Sequence, residues 1–187
     1  MAVETGKLVV VDLELTCWDD PSRADDMEII EIGICVFDGM TGKIGRKSST
    51  LVRPNLLEIS DRCHQITGLT TERLKRDGAP LNEALNRLRK AYPFRSSGWA
   101  AWGEGDRRCM SGECASKGIS YPFADAYINV AHLHALCGCS TARNTRRVSL
   151  EEALEQLDME FEGRPHSGAD DAWNTARVLR KILGWKE

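Results

Sequence analysis

The sequence predicts a mixed-sheet α/β domain, and three observations carry that prediction. Three strand-like runs joined by short turns open the chain, apolar residues then recur at helical spacing, and a further strand-like run lies between helices. Residues 7–15, KLVVVDLEL, form a Val-rich apolar run of strand length. A polar stretch, DDPSRADD, separates it from a second run, IIEIGICVF, over residues 29–37. GMTGKIG supplies turn residues, and SSTLVRP reads as a third strand closed by Pro54. Consecutive strands with such connections pair as an antiparallel meander.

Over residues 81–92 the apolar positions are Leu81, Ala84, Leu85, Leu88 and Ala91, a helix repeat that leaves Asn82, Glu83, Arg87 and Arg89 to solvent. Residues 97–104, SGWAAWGE, predict a fourth strand, and helices are expected over 106–117 and 128–137. Ser149 followed three residues later by Glu152 is a capping box, so SLEEALEQLDM predicts a helix. The last helix is expected over residues 169–183, with Gly184 as its stop. No repeat, low-complexity tract or long linker divides the chain, so one domain is expected over residues 1–187.

Composition narrows the function. With 187 residues, 42% hydrophobic and 28% charged, the chain can bury a core without disulfide or metal staples. No apolar run reaches the roughly 20 residues needed to span a bilayer, so no membrane role is expected. MAVETGK is not a signal peptide, and seven cysteines without a C-x-x-C pair read as reduced thiols, which implies a cytoplasmic protein. A net charge of -3 argues against a generic nucleic-acid coat. It leaves room for an enzyme that holds cations in a carboxylate cluster.

Such a cluster has candidates. Side chains alternate along a strand, so Asp12 and Glu14 in Asp12-Leu13-Glu14 share a face at the end of the first strand. Two carboxylates side by side at the end of a buried strand repel each other, and a hard divalent cation such as Mg²⁺ or Mn²⁺ relieves that. The plainer reading is a strand emerging into solvent with ordinary surface acids. His166 lies in a Pro/Ser/Gly loop before the last helix, exposed and mobile, as a proton carrier must be; alone, it reads equally as a loop histidine without a role. Asp106 follows the fourth strand, where an acid is often no more than a helix cap.

Taken in order, Asp12, Glu14, Asp106, His166 and Asp171 resemble the DEDDh superfamily of 3′→5′ exonucleases, in which the His stands five residues before the last Asp. Asp12 to Cys17 resembles the first motif, Trp102 to Arg107 the second and His166 to Ala176 the third. Cys63-His64-Gln65-Ile66-Thr67-Gly68-Leu69-Thr70 resembles a linking segment of the branch containing histone-mRNA and small-RNA trimming exonucleases and similar small bacterial enzymes. RNase T, oligoribonuclease and polymerase proofreading subunits are more distant. The superfamily's tyrosine variant is excluded, because His166 stands where Tyr would.

The resemblance implies an RNase H-like mixed five-stranded sheet flanked by helices, and two Mg²⁺ ions for which Mn²⁺ can substitute. It implies that Asp12 bridges both metals, that Glu14 and Asp171 hold the one that activates water, and that Asp106 supports the other. His166 would take the water's proton. Leu13 and Leu15 would sit against the terminal base, with Thr16, Trp18 and His64 as further substrate contacts. The implied partner is single-stranded nucleic acid with a free 3′ end, RNA favoured; oligomeric state stays open, a homodimer included.

Helical geometry separates the neighbouring acids of the last helix. Asp170 shares a stripe with Asn174, Arg177 and Lys181, read as solvated, whereas Asp171 lies with Thr175, Val178 and Ile182 beside the apolar face. Other features have bland alternatives. Cys109, Cys114, His132, His134, Cys137 and Cys139 could suggest zinc, but their spacings match no standard finger. Trp18 could stack on a base or be a rim aromatic, and His64 could touch the strand or cap a helix. Arg107, Arg108, Arg143, Arg146 and Arg147 could meet phosphates or form solvated faces. Two rivals remain: a DNA-trimming or proofreading nuclease, and a catalytically idle RNA-binding module on the same fold.

Overall fold

The computed structural model describes residues 6–56, 58–137 and 148–185. Its sheet has five strands, β1 (Lys7–Leu15), β2 (Ile29–Asp38), β3 (Ser48–Leu51), β4 (Gly98–Ala101) and β5 (Tyr127–Asn129), in the order β3-β2-β1-β4-β5. β1 pairs antiparallel with β2 and β2 with β3, while β4 and β5 run parallel to β1. This is the expected meander extended by two parallel strands into a mixed five-stranded sheet. Seven helices are described: α1 (Asp61–Thr67), α2 (Thr71–Asp77), α3 (Leu81–Ala91), α4 (Glu104–Ser116), α5 (Val130–Leu136), α6 (Leu150–Gln156) and α7 (Gly168–Ile182).

The central strand explains the layering. Val9, Val11 and Leu13 pack into a core with Leu81, Leu85 and Leu88 of α3 and Met110 of α4. Val10, on the opposite face, packs with Val130, Leu154, Ala176 and Leu179 of α5, α6 and α7. A strand buried on both faces reads as a continuous apolar run, which is why residues 8–11 show no alternation. Asp12 and Glu14 continue the Val10 face, so both carboxylates point to the α7 side.

Three boundaries differ from the sequence reading. The helix expected over 128–137 begins only at Val130, because Tyr127–Asn129 pairs with β4 and the Asn129 side chain caps α5 by accepting the His132 N–H at 3.0 Å. The strand expected over 97–104 is confined to Gly98–Ala101, and α4 starts at Glu104. The linking segment, to which no element was assigned, forms most of α1, capped by Ser60, and ends at Thr70, the cap of α2. The capping box at Ser149 and Glu152 is present, with both reciprocal bonds. Among the described residues no helix is long and apolar enough to cross a membrane.

Candidate functional site

The site is assembled where the carboxyl ends of β1 and β4 meet the start of α7. Asp106 stands in the first turn of α4, and its Oδ1 accepts the Leu13 backbone N–H at 3.0 Å, which anchors it beside Asp12 and Glu14. From the other side α7 delivers Asp171. His166 precedes the helix in an exposed, left-handed conformation, φ 59°, that His tolerates better than most residues. One ligand atom each of Glu14, His166 and Asp171 lies within 4.8 Å of the others.

Crowded acids in a half-buried pocket resist ionisation. Burial, then the charges of Asp106, Asp171, Glu14 and Glu31, push Asp12 well above the usual carboxylate range. Burial followed by Asp171, Glu31 and Asp106 raises Glu14 to about 8, against a lowering by Arg164. Burial lifts Asp171 to about 7 although the His166 backbone N–H lowers it, and burial lifts Asp106 to about 6 against amide bonds from Leu13 and Asp106 itself. An oxygen-rich, self-repelling donor set of this kind fits hard divalent cations of the Mg²⁺ or Mn²⁺ type.

Two features of the site were missed in the sequence. Glu31 on β2 lies opposite Glu14 in the strand register and is only 7% exposed, a fifth carboxylate next to the other four. Its signal was available: it is the lone charge in the apolar run over residues 29–37. The second is a clasp on the segment ahead of His166. The Arg164 guanidinium donates to the Ile66 and Thr67 carbonyls at the end of α1, both at 3.0 Å, and its backbone N–H donates to Asp170 Oδ2 at 2.9 Å. Lys47 holds the other Asp170 oxygen.

That clasp corrects the solvated stripe assigned to α7. Asp170 is 17% exposed and paired with Lys47. Asn174 is fully buried, and its amide donates to the carbonyls of Glu162 and Asp170. Arg177 donates to Glu160 O and Asn174 Oδ1, and only Lys181 is exposed. Heptad-type geometry placed these residues on one face correctly; the segment 160–164 then covers that face.

The expected substrate contacts are placed unevenly. Leu13 lies on the face of β1 opposite Asp12 and Glu14, 8% exposed within the α3 core, and Leu15 packs half-buried against the same core. Thr16 is 1% exposed, and its hydroxyl accepts the Glu28 N–H at 2.9 Å, so its side chain is not presented to the carboxylates. Trp18 is half-buried, with the Arg23 guanidinium 3.8 Å from its ring centroid. His64 is exposed on α1, its Nδ1 3.0 Å from Leu69 O. Arg107 and Arg108 are exposed on α4, Arg107 lying 5.1 Å from the Tyr127 ring centroid. Cys109 and Cys114 on α4 and His132, His134 and Cys137 on α5 or at its end form no group of three metal ligands among the described residues. Cys139, Arg143, Arg146 and Arg147 lie outside the described residues.

Comparisons with known proteins bear on the family and the fold. A family model described as Exonuclease (RNase_T) matches residues 9–179, a span containing every residue of the cluster. An ERI1 exoribonuclease 2 of Xenopus laevis is 30% identical over 202 residues, covering 94% of this chain; the chain spans 28% of that protein's length. The nuclease domain of 3'hExo, a DEDDh family member bound to rAMP, shares the fold: TM-score 0.84 at 24% identity, over 98% of this chain and 94% of that one. A structure of 3'-end specific recognition of histone mRNA stem-loop by 3'-exonuclease superposes with TM-score 0.83 at 25% identity, over 97% of this chain and 65% of that one.

Proposed function

The chain belongs to the exonuclease family whose model spans residues 9–179, and from that membership we propose that it removes nucleotides one at a time from single-stranded 3′ ends. The products are nucleoside 5′-monophosphates, and RNA is favoured over DNA because the similar proteins include an exoribonuclease and an exonuclease that recognises a histone mRNA stem-loop. One observation carries the reading: Asp12, Glu14, Asp106 and Asp171 gather with the His166 imidazole at one end of the sheet.

Asp12, Glu14, Asp106 and Asp171 would hold two Mg²⁺ ions, Mn²⁺ substituting. When bound, the cations supply positive charge to the phosphate oxygens and make a water more acidic. His166 accepts the proton of the attacking water at its imidazole, a task its exposure and its place beside Glu14 and Asp171 permit. The water oxygen bonds to phosphorus, the bond to the departing 3′-oxygen breaks, and that oxygen is protonated from solvent. The Leu13 N–H keeps Asp106 in place, and the Arg164 clasp keeps the His166 segment against α1.

The test is digestion of linear and circular single strands of one sequence, RNA and DNA, in Mg²⁺ with and without chelator. Linear RNA should shorten from its 3′ end to 5′-monophosphates, circles should survive, and chelator should stop the reaction. Circles cut at the linear rate would overturn the exonuclease reading. RNA bound but left intact in Mg²⁺ would make the chain a binding module, and DNA degraded faster than RNA would reverse the substrate preference.

A further inference from the structure

We propose that Glu31 is a positioning residue for this reaction, seating the first turn of α7 so that Asp171 and His166 stand beside Asp12 and Glu14. The proposal rests on the exonuclease reading of the site. Both Glu31 oxygens are committed to protein donors: Oε1 to the Ser49 hydroxyl and Oε2 to the Gly168 N–H at 3.2 Å. A carboxylate so occupied is poorly placed to hold a metal. What it does hold is a helix end. The N-cap residue of α7, Ser167, makes no side-chain cap of its own, so an orphan amide of the first turn is satisfied from β2.

The seat has a second half. Two residues along β2, on the same face, Gly33 meets the helix backbone directly: a Cβ there would lie 1.8 Å from Gly168 C and 1.9 Å from Gly168 O. Glu31 therefore fixes the helix end by a hydrogen bond while Gly33 fixes its height by contact. Asp171 lies within that first turn, its N–H bonded to Ser167 O at 2.9 Å, and His166 is two residues ahead of Gly168. A shift of the seat moves both. The negative charge of Glu31 makes ionisation of Asp12, Glu14 and Asp171 harder, so the useful property is the acceptor and its reach rather than the charge.

That distinction gives an inverted test. Glu31→Gln keeps the length and an oxygen for Gly168 while losing the charge; Glu31→Asp keeps the charge but is one methylene shorter. Each full-length variant is compared with the parent for kcat and KM on a linear RNA in saturating Mg²⁺, and for amide hydrogen exchange of residues 167–171 without metal. The expected result is that Glu31→Gln stays close to the parent in both readouts. Glu31→Asp should lose roughly 10–100-fold in kcat, the usual size for a group that orients metal ligands, with KM little changed and faster exchange at the start of α7. Full activity of both variants would overturn the proposal, as would an impaired Gln variant beside an active Asp variant. Should the parent itself leave RNA intact, the functional reading fails, and exchange alone decides the seat: faster in Asp but not Gln supports it, equal rates refute it.

Discussion

Lys47, in the segment before β3, forms an ion pair with Asp170 of α7, and the second Asp170 oxygen accepts the Arg164 N–H. This pair joins the β3 edge of the sheet to the helix whose leading loop presents His166. Burial alone would raise Asp170, but the bonds from Lys47 and Arg164 outweigh it and hold the carboxyl below its ordinary 3.8. A depressed acid stabilises the fold above its unfolded pKa and loses that contribution as pH falls through the lower folded value.

Asp170→Ala should therefore cost about 1.5–3 kcal/mol, the range for hydrogen bonds to a charged group, and lower the rate about tenfold or more by loosening the His166 segment. Thermal melts and turnover on one preparation check it. A variant with parental melting and parental rate would restore the solvated-stripe reading.

His166→Ala should lose roughly 10²–10⁴-fold in rate while Mg²⁺ and strand binding persist. Single-turnover assays beside calorimetric metal titration measure both quantities. Equal loss of metal affinity would make His166 a ligand instead of a proton acceptor.

Asp171→Asn should reduce turnover by orders of magnitude and leave the metal-free protein as stable as the parent or slightly more so. One repelling charge leaves a cluster in which burial has already raised Asp171 to about 7. A strongly destabilised metal-free variant would contradict this.

Without metal, the protein should melt at lower temperature as pH rises from about 4 to 8. Glu14 at about 8, Asp171 at about 7 and Asp106 at about 6 sit above their ordinary 4.5, 3.8 and 3.8. Raised acids give a contribution that is complete below the unfolded pKa and lost as pH climbs through the folded one. Each 1 kcal/mol of that loss lowers melting by roughly 2–4 °C in a chain of this size. Saturating Mg²⁺ should abolish or reverse the trend, and melting scans across pH with and without Mg²⁺ provide the check.

Strong period signals made much of the fold legible: the Val run of β1, the Leu81 to Leu88 repeat and the Ser149 capping box all stand where the sequence put them. β5 was hidden because three residues, Tyr127–Asn129, run directly into α5 and carry too little pattern to separate from it. Asp12, Glu14, Asp106, His166 and Asp171 were named by motif order, and the structure brings them together. The setting of Thr16 was harder to read, since strand alternation past Glu14 meets a register irregularity, whereas the opposite facing of Leu13 follows from the alternation that pairs Asp12 with Glu14. Glu31 and Asp170 escaped for a different reason. Their roles depend on partners distant in sequence, Gly168 and Lys47, which no local pattern announces.

Glu31 and Gly168 meet across 137 positions of chain. A growing polypeptide exposes the strand bearing Asp12 and Glu14 long before the helix bearing Asp171 has been synthesised. Contacts of such separation form late, because chain closure must come first. Until α7 docks, Asp12, Glu14 and Asp106 have neither His166 nor Asp171 beside them. The proposed site is therefore complete only once α7 has docked against β1 and β2.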